Sequence, residues 1–211
     1  MLSSIKSQMN PHFIFNALNT VQSYIYTNNK ENASLYLGKF SELTRNILDM
    51  SNKEKVTLAE EIRALQLYVE LEQLRFEDKL SYSFDIDKNI STETITIPSM
   101  LIQPYVENAI KHGLMHQKDL WKLLISFSLK DNSIEVIIDD NGVGRKASEA
   151  INKQRNKNHN SFATAANEKR LDILNKGLEK SISLFCIDKI DQNGYAKGTT
   201  MILNIPFKSH S

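Results

Sequence analysis

The chain has 211 residues, a formal net charge of +1, and 41% hydrophobic and 24% charged residues. This composition supports a hydrophobic core and is unlike that of a disordered chain. The near-neutral charge argues against nonspecific nucleic-acid binding, which needs a basic surface. The single cysteine, Cys186, excludes an internal disulfide and a multi-cysteine zinc site.

No apolar run approaches the ~20 residues that span a bilayer. The helical pattern is already present at residue 2, with no cap before it. We therefore expect a fragment of a longer protein, in which any membrane segment lies upstream.

Residues 1–78 have the pattern of helices. In the first helix, apolar side chains recur on one face: Ile14, Leu18, Val21 and Ile25. A polar break at 27–30 precedes a second helix, which we expect to end near Asp49 before a polar link at 50–55. Thr57 and Glu60 then have the spacing of a capping box, which predicts the start of a third helix.

The third helix has a wide apolar face. Its stripe consists of Leu58, Ile62, Leu65 and Val69, widened by Leu67, Leu71 and Leu74. Helices of this length cannot bury such wide faces against each other alone, and such faces usually pair with a partner chain. We therefore expect a homodimer built on this half.

After residue 78 the patterns of strands and helices alternate. They predict strands at 80–86, 94–97, 121–129, 134–138, 182–187 and 199–205, and helices at 99–116 and 167–178. We expect turns at Asp131-Asn132 and Asn193-Gly194, and a long functional or mobile connection at 141–160. The prediction is an α+β fold, with an N-terminal helical hairpin followed by helices on one face of a mixed, mostly antiparallel sheet.

Two segments of the C-terminal half carry candidate binding residues. The sequence D-D-N-G-V-G at 139–144 follows a strand, where a carboxylate is well fixed and glycines let backbone approach a ligand. An acidic hairpin turn would have the same local sequence. The sequence E-N-A-I-K-H-G at 107–113 could present an amide oxygen to a cation and an ammonium to phosphate. It could equally be a solvated helix face that ends in a glycine C-cap.

The third segment is N-P-H-F-I-F-N at 10–16, in which His12 and Asn16 interrupt an apolar stripe one turn apart. Asn16 could hold the tautomer of the His12 ring with a side-chain hydrogen bond. A core histidine satisfied by Asn16 is the other interpretation of the same pattern.

Together these segments, followed by G-T-T at 198–200, closely resemble the sensor histidine kinases of the LytS/YehU type over residues 2–207. The resemblance implies a dimerisation and phosphoacceptor region at 1–79. It implies an ATP-binding catalytic domain at 80–211, with the Bergerat-type (GHKL) fold shared with gyrase and Hsp90. It also implies ATP and Mg²⁺ as ligands, and a response regulator as partner. The chain would be the cytoplasmic portion of an inner-membrane-anchored bacterial sensor.

The resemblance also assigns roles to single residues. His12 matches the phosphorylated histidine, Asn108 the asparagine that holds Mg²⁺ against the phosphates, and Asp140 the aspartate that binds the adenine amino group. Lys111 and His112 are expected beside the phosphates. The glycine elements of the family are matched by Gly142, Gly144, Gly198 and Thr199. The mobile lid is matched by residues 141–160, in which phosphate could meet Lys146, Lys153, Arg155 and Lys157.

Four positions bear on the reaction that the resemblance implies. Related ATPases have a water-activating glutamate four residues before the asparagine, and here that position is Pro104, which cannot act as a base. Many histidine kinases have an acid directly after the histidine, and here that residue is Phe13. Asn16 as an orienting residue, or Glu107 acting across the site, are therefore the candidates for assisting His12.

One departure from the family favours a different function. Ala163 stands where the family has a glycine at the opening of the helix after the lid, so we expect another backbone shape there. The alternative function is a dimeric signalling scaffold whose nucleotide site is degenerate. A hydrolytic ATPase of the same fold is a third possibility, which Pro104 disfavours.

Overall fold

The computed structural model describes residues 11–76, 79–117, 119–148, 150, 160–176 and 181–207, and it confirms the predicted α+β class. The helices are α1 (Pro11–Tyr26), α2 (Lys30–Ser51), α3 (Leu58–Phe76), α4 (Gln103–Asn108) and α5 (Asn160–Asn175). The strands are β1 (Lys55–Thr57), β2 (Leu80–Ile86), β3 (Thr96–Pro98), β4 (Trp121–Lys130), β5 (Ser133–Asp140), β6 (Ser183–Ile190) and β7 (Ala196–Pro206). No helix in these ranges combines the length and the apolar character needed to cross a bilayer.

The first two helices form the expected hairpin, and the break between them is where the polar run predicts it. The side chain of Asn29 accepts a hydrogen bond from the N–H of Asn32 (3.1 Å) and so caps α2. On α1, Ala17 is buried, whereas Leu18 and Ile25 of the predicted apolar stripe are 55% and 62% exposed. Part of that stripe therefore faces away from the core of the single chain.

The capping box at the start of α3 is confirmed. The N–H of Glu60 donates to the hydroxyl oxygen of Thr57 (3.1 Å), and the N–H of Thr57 donates to the carboxylate of Glu60 (2.7 Å). The predicted stripe of α3 is buried, with Leu58, Leu65 and Val69 all 0% exposed. The single chain therefore buries this face by itself, so the expectation that the wide apolar face of α3 needs a partner chain was wrong.

The prediction of a polar link at 50–55 is partly wrong. Met50 is 2% exposed in the last turn of α2, so the link begins later. Lys55 begins β1, which pairs antiparallel with β3, and Val56 lies opposite Ile97 in this small sheet. Burial of Val56 (2% exposed) explains why the chain becomes extended there.

The main sheet has five strands in the order β2-β4-β5-β7-β6. β2 is parallel to β4, and the other neighbours are antiparallel. Alternate residues of β5 are buried, so one face of the sheet faces the core. The predicted turn between β4 and β5 is present, with φ +48° at Asp131.

Two predicted helices have different bounds. The helix expected at 99–116 begins only at Gln103, then continues as a π-helical turn at Ala109–Gly113 and a 3₁₀ turn at Leu114–His116. The helix expected at 167–178 is α5, which begins at Asn160 and ends at Asn175. Ala163 therefore lies within a helix, which is a backbone conformation that alanine favours.

Candidate functional site

The two aspartates at the end of β5 lie on opposite faces of the sheet, because successive side chains of a strand alternate. Asp139 is half-buried and accepts hydrogen bonds from Lys189 (2.6 Å) and Thr200 on one face. Asp140 lies on the core face and is only 3% exposed. Asp140 is therefore the buried acceptor of this pair.

Three glycines surround Asp140 and permit backbone contacts that a side chain would block. A Cβ at Gly142 would lie 2.5 Å from the carbonyl oxygen of Gly113, and one at Gly198 would lie 2.7 Å from the carbonyl carbon of Asp140. The N–H of Gly142 donates to Oδ1 of Asp140 (2.8 Å), and the N–H of Val143 donates to the carbonyl of Gly113 (3.1 Å). The motifs that contain Gly113 and Asp140 are thus in direct backbone contact.

The electrostatics of Asp140 favour a carboxylate only above mildly acidic pH. Burial raises the pKa of Asp140 to about 6, and the charge of Asp139 acts in the same direction. The N–H groups of Gly142 and Thr199 and the ammonium of Lys189 lower this pKa and limit the rise. At neutral pH the side chain is mainly an ionised acceptor, as an amino group of a ligand would require.

Glu107 of α4 and Lys111 of the π-helical turn that follows it form an ion pair, one turn apart on this helical segment (103–113). Nζ of Lys111 lies 2.7 Å from Oε2 of Glu107, and Oε1 of Glu107 accepts from Nε2 of Gln103 at 3.1 Å. Both side chains are largely shielded from solvent: that of Lys111 is 15% exposed and that of Glu107 is 22% exposed. Lys111 must leave this pair before its ammonium can contact a phosphate.

Asn108 and His112 lie one turn apart on the same segment, and both are half-buried. Asn108 is the last residue of α4, directly before the π-helical turn. Burial lowers the pKa of His112, and the positive charges of Lys111 and His116 lower it further. His112 is therefore a neutral imidazole at physiological pH.

Asn141 lies in the motif at 139–144 but was given no role of its own from the sequence; in the structure it fixes the turn after β5. Its side chain accepts from the N–H of Lys122 (2.7 Å) and donates to the carbonyl of Leu120 (2.9 Å). Its own carbonyl accepts from the side chain of Gln117 (3.0 Å). The only local signal was the preference of asparagine for turns, because its partners lie on another segment.

The start of the predicted lid is described. Gly144 has φ +77°, where a side chain would be strained, and Lys146 in the next turn is exposed. Arg145 makes a bidentate pair with Asp188 of β6, with both N–O distances 2.7 Å. The other cations predicted for the lid lie outside the described residues: Lys153, Arg155 and Lys157.

The histidine motif lies in the first turn of α1. His12 is the second residue of this helix, and its side chain lies outside the described part of the structure. Phe13 is 6% exposed and packs on Phe40 and Tyr68, with ring centroids 5.9 and 5.5 Å apart. Asn16 lines an open polar groove of about 260 Å³. The other lining residues are Asn19, Thr20, Ser23, Tyr24 and Arg75.

The structure therefore forms two separate groups of candidate residues. Asp140, Gly142, Gly198 and Thr199 adjoin one another between the end of β5, the start of β7 and the turn at Gly113. The contacts of Phe13 attach the start of α1 to α2 and α3 instead.

Comparison with known proteins finds histidine kinases. A family model described as "Histidine kinase" matches residues 1–80. Sensor histidine kinase YpdA of Escherichia coli (strain K12) is 36% identical over 143 residues, which is 68% of this chain and 25% of that protein. Sensor protein LytS of Bacillus subtilis (strain 168) is 32% identical over 68% of this chain and 24% of its own length. The chain thus spans about a quarter of the length of these curated relatives.

Among solved structures, the catalytic domain of histidine kinase ThkA has a TM-score of 0.48 and 14% identity, covering 72% of this chain and 94% of that one. A complex of ThkA with the response regulator protein TrrA has a TM-score of 0.45 and 15% identity, covering 98% of this chain and 62% of that one. The family match and the sequence relatives, together with the motifs in their order, show that this chain belongs to the LytS-type sensor histidine kinases.

Proposed function

We propose that this chain binds Mg-ATP, phosphorylates His12, and passes the phosphoryl group to an aspartate of a response regulator. The observation that carries the proposal is the buried carboxylate of Asp140, enclosed by glycine backbone beside the segment that bears Asn108. The division of labour would follow the predicted domains, with residues 1–79 as dimerisation and phosphoacceptor region and 80–211 as the ATP-binding domain.

The residues around Asp140 fit an adenine nucleotide. A buried carboxylate at a strand end can accept a hydrogen bond from the exocyclic amino group of adenine. Such a site discriminates strongly against bases without this amino group, because they would leave a buried acceptor without a partner. Gly144 and Gly198 both have positive φ, and a Cβ at Gly198 would collide with the backbone of Asp140, so glycine at 198 keeps β7 close to the residue that bears the carboxylate. Lys111 and His112 would then lie on the phosphate side.

Magnesium would be held by the amide oxygen of Asn108 and by the nucleotide phosphates. Mg²⁺ is usually bound by one or two protein ligands together with substrate phosphates. Within the described ranges there is no cluster of three or more His, Cys, Asp or Glu side chains that could hold a metal ion alone. When bound, the ion would neutralise charge on the transferred phosphoryl group.

His12 needs little activation to act as a nucleophile. At pH 7.5, an imidazole with the ordinary histidine pKa of ~6.5 is about ten times more abundant in its neutral form than in its charged form. Phe13 anchors α1 in the core, which explains why an apolar residue rather than an acid follows the histidine. Glu107 already accepts hydrogen bonds from Gln103 and Lys111, so we favour Asn16 as the residue that orients the ring. Most of the acceleration would come from positioning.

We also propose that the active form is a homodimer built on α1 and α2. Large apolar side chains on these helices are exposed in the single chain: Phe15, Leu18, Ile25, Leu35, Leu37 and Leu48. Replacing Leu18 with glutamate should convert the dimer to a monomer in light scattering, whereas Ile173→Glu on α5 should not. A monomeric unsubstituted chain would contradict the dimer. The named relatives are sensors, so we further propose that this chain is the cytoplasmic portion of a membrane-anchored one.

Radiolabelled ATP tests the kinase against its alternatives. An acid-labile, base-stable label on the chain that disappears in His12→Gln supports the kinase. Nucleotide binding without label would instead support the dimeric scaffold, the function that Ala163 favours. Release of free phosphate without labelled protein would support an ATPase, although Pro104 lies in the first turn of α4 and has no basic group.

The adenine assignment has a test of its own. In Asp140→Asn, an NH2 group replaces one of the two carboxylate oxygens. This group donates hydrogen bonds and cannot accept them. We expect ATP binding to be abolished in calorimetry, while Asp139→Asn on the opposite face of the sheet should retain it. Unchanged affinity in Asp140→Asn would rule out the assigned role.

A further inference from the structure

The segment at 99–103 leads from β3 into α4 and is buried along its whole length, with Ile102 at 0% exposure. Ser99 attaches it to the end of α2, because its hydroxyl donates to the carbonyl of Met50 (2.7 Å). The N–H of Ser99 donates to the carbonyl of Glu54 (3.1 Å). The segment that precedes α4 is therefore attached to the end of the helical hairpin.

Glu61 of α3 holds the same segment through its carboxylate, and it is itself only 1% exposed. Oε2 accepts from the N–H of Met100 (2.8 Å), and Oε1 accepts from the N–H groups of Ile102 (2.9 Å) and Gln103 (3.4 Å). Burial raises the pKa of Glu61 to about 7, against the effect of these hydrogen bonds and of Arg170. Burial of an ionisable group is costly, and hydrogen bonds from three backbone N–H groups offset part of that cost here.

Arg170 of α5 also contacts the segment. Its guanidinium donates to the carbonyl of Ser99 (2.6 Å), and its positive charge also acts on Glu61. Met100 lies between these two attachments with φ +56°, a conformation that residues other than glycine rarely adopt. The surrounding contacts therefore hold the backbone in a shape that it would not keep alone.

Hydrogen bonds continue from Glu61 to the candidate site. Oε1 of Glu61 binds the N–H of Gln103, the side chain of Gln103 binds Glu107, and Glu107 binds Lys111. This chain of contacts links α3 with the helix that ends in Asn108. A displacement of α3 would thus act on the residues assigned to the metal and the phosphates.

We infer that Glu61 is a positioning residue that fixes the start of α4, and that the junction at 99–103 couples movement of α2 and α3 to the position of Asn108. The inference rests on the proposed nucleotide site. It makes the buried carboxylate the connection between the phosphoacceptor half and the nucleotide half of the chain.

Glu61→Gln tests the inference with little change in volume. One of its polar atoms becomes an N–H donor, which must face a backbone N–H of the junction. We expect the dissociation constant for the Mg complex of a non-hydrolysable ATP analogue to rise about tenfold, as for one lost charge-assisted hydrogen bond. Glu70→Gln is the matched control, because Glu70 lies on the same helix but pairs with Lys39 of α2. It should bind as the unsubstituted chain does.

Autophosphorylation separates positioning from simple loss of folded protein. A positioning role raises the ATP concentration for half-maximal rate in Glu61→Gln, and hydrogen exchange quickens at the amides of 105–113. Partial unfolding alone lowers the maximal rate and leaves the half-maximal concentration unchanged. Unaltered exchange in α4, or unaltered affinity, overturns the inference.

The inference and the proposed function can fail separately. If the unsubstituted chain binds no nucleotide, the proposed function fails and the coupling to Asn108 fails with it. If the unsubstituted chain binds nucleotide and Glu61→Gln binds it equally well, only the positioning role is lost.

Discussion

The contact between Gly142 and Gly113 makes a quantitative prediction. A Cβ at residue 142 would lie 2.5 Å from the carbonyl oxygen and 2.6 Å from the Cα of Gly113, where ordinary contacts begin at 3.4 Å. Both partners are backbone, so no side chain can rotate away, and in Gly142→Ala the two segments must separate by about 1 Å. That movement breaks the hydrogen bond from Val143 to Gly113, now 3.1 Å.

The cost combines overpacking, about 1–3 kcal/mol, with one lost hydrogen bond, about 1 kcal/mol. We expect Gly142→Ala to lower the free energy of unfolding by about 2–4 kcal/mol, which is a fall in Tm of about 5–15 °C for a chain of this size. Calorimetry of the unliganded protein measures this fall. Nucleotide binding should be lost as well, because the turn after Asp140 moves.

Gly38→Ala is the matched control. Gly38 is exposed within α2, and a Cβ there would meet nothing within 4 Å. Alanine is the better helix former, so this variant should be more stable by up to about 1 kcal/mol. If Gly142→Ala unfolds at the same temperature as Gly38→Ala, the close backbone approach is not required and the geometry of the site must be revised.

Three further predictions concern other parts of the chain. Thr57→Ala removes the capping box and should cost about 1 kcal/mol in urea unfolding, whereas Thr57→Ser should retain most of it; equal loss in both would exclude the hydroxyl as the cause. Because burial raises the pKa of Asp140 to about 6, its protonated form increases as pH falls, and affinity for adenosine should drop about tenfold between pH 7 and pH 5; a flat profile would contradict an ionised acceptor. Arg145→Ala breaks an exposed pair with Asp188 and should change the free energy of unfolding by no more than about 0.5 kcal/mol; a larger loss in thermal unfolding would contradict a minor role for this pair.

The fold was predictable where the signals are local. The alternation in β2 gives its bounds at 80–86, and the spacing of Thr57 and Glu60 gives the start of α3. Pairing of β1 with β3 was not predictable, because the three-residue strands lie far apart in sequence and have no periodicity of their own. The late start of α4 was not predictable either, because the residue before it, Ile102, is hydrogen-bonded to Glu61, a side chain from another helix.

The candidate site likewise contains residues that could be predicted from local sequence and residues that could not. The order of the motifs predicted Asp140 and Asn108 as candidate site residues through the family resemblance, since each lies in a characteristic local sequence. The part played by Gly113 depends on another segment lying against it, as does the role of Asn141. Contacts of this kind follow from tertiary approach, and a single sequence contains no local signal for them.

The parallel pairing of β2 with β4 has a consequence for how the chain folds. Residues 87–120 separate the two strands and contain α4, because a parallel pair needs a crossover connection rather than a hairpin. Closing this long loop costs conformational entropy before any hydrogen bond between the two strands can form. The edge strand β2 therefore cannot form its hydrogen bonds outward from a short turn, as the hairpin of β4 and β5 can. We therefore expect the connection that carries Asn108 to be fixed at both of its ends only once β2 has paired with β4.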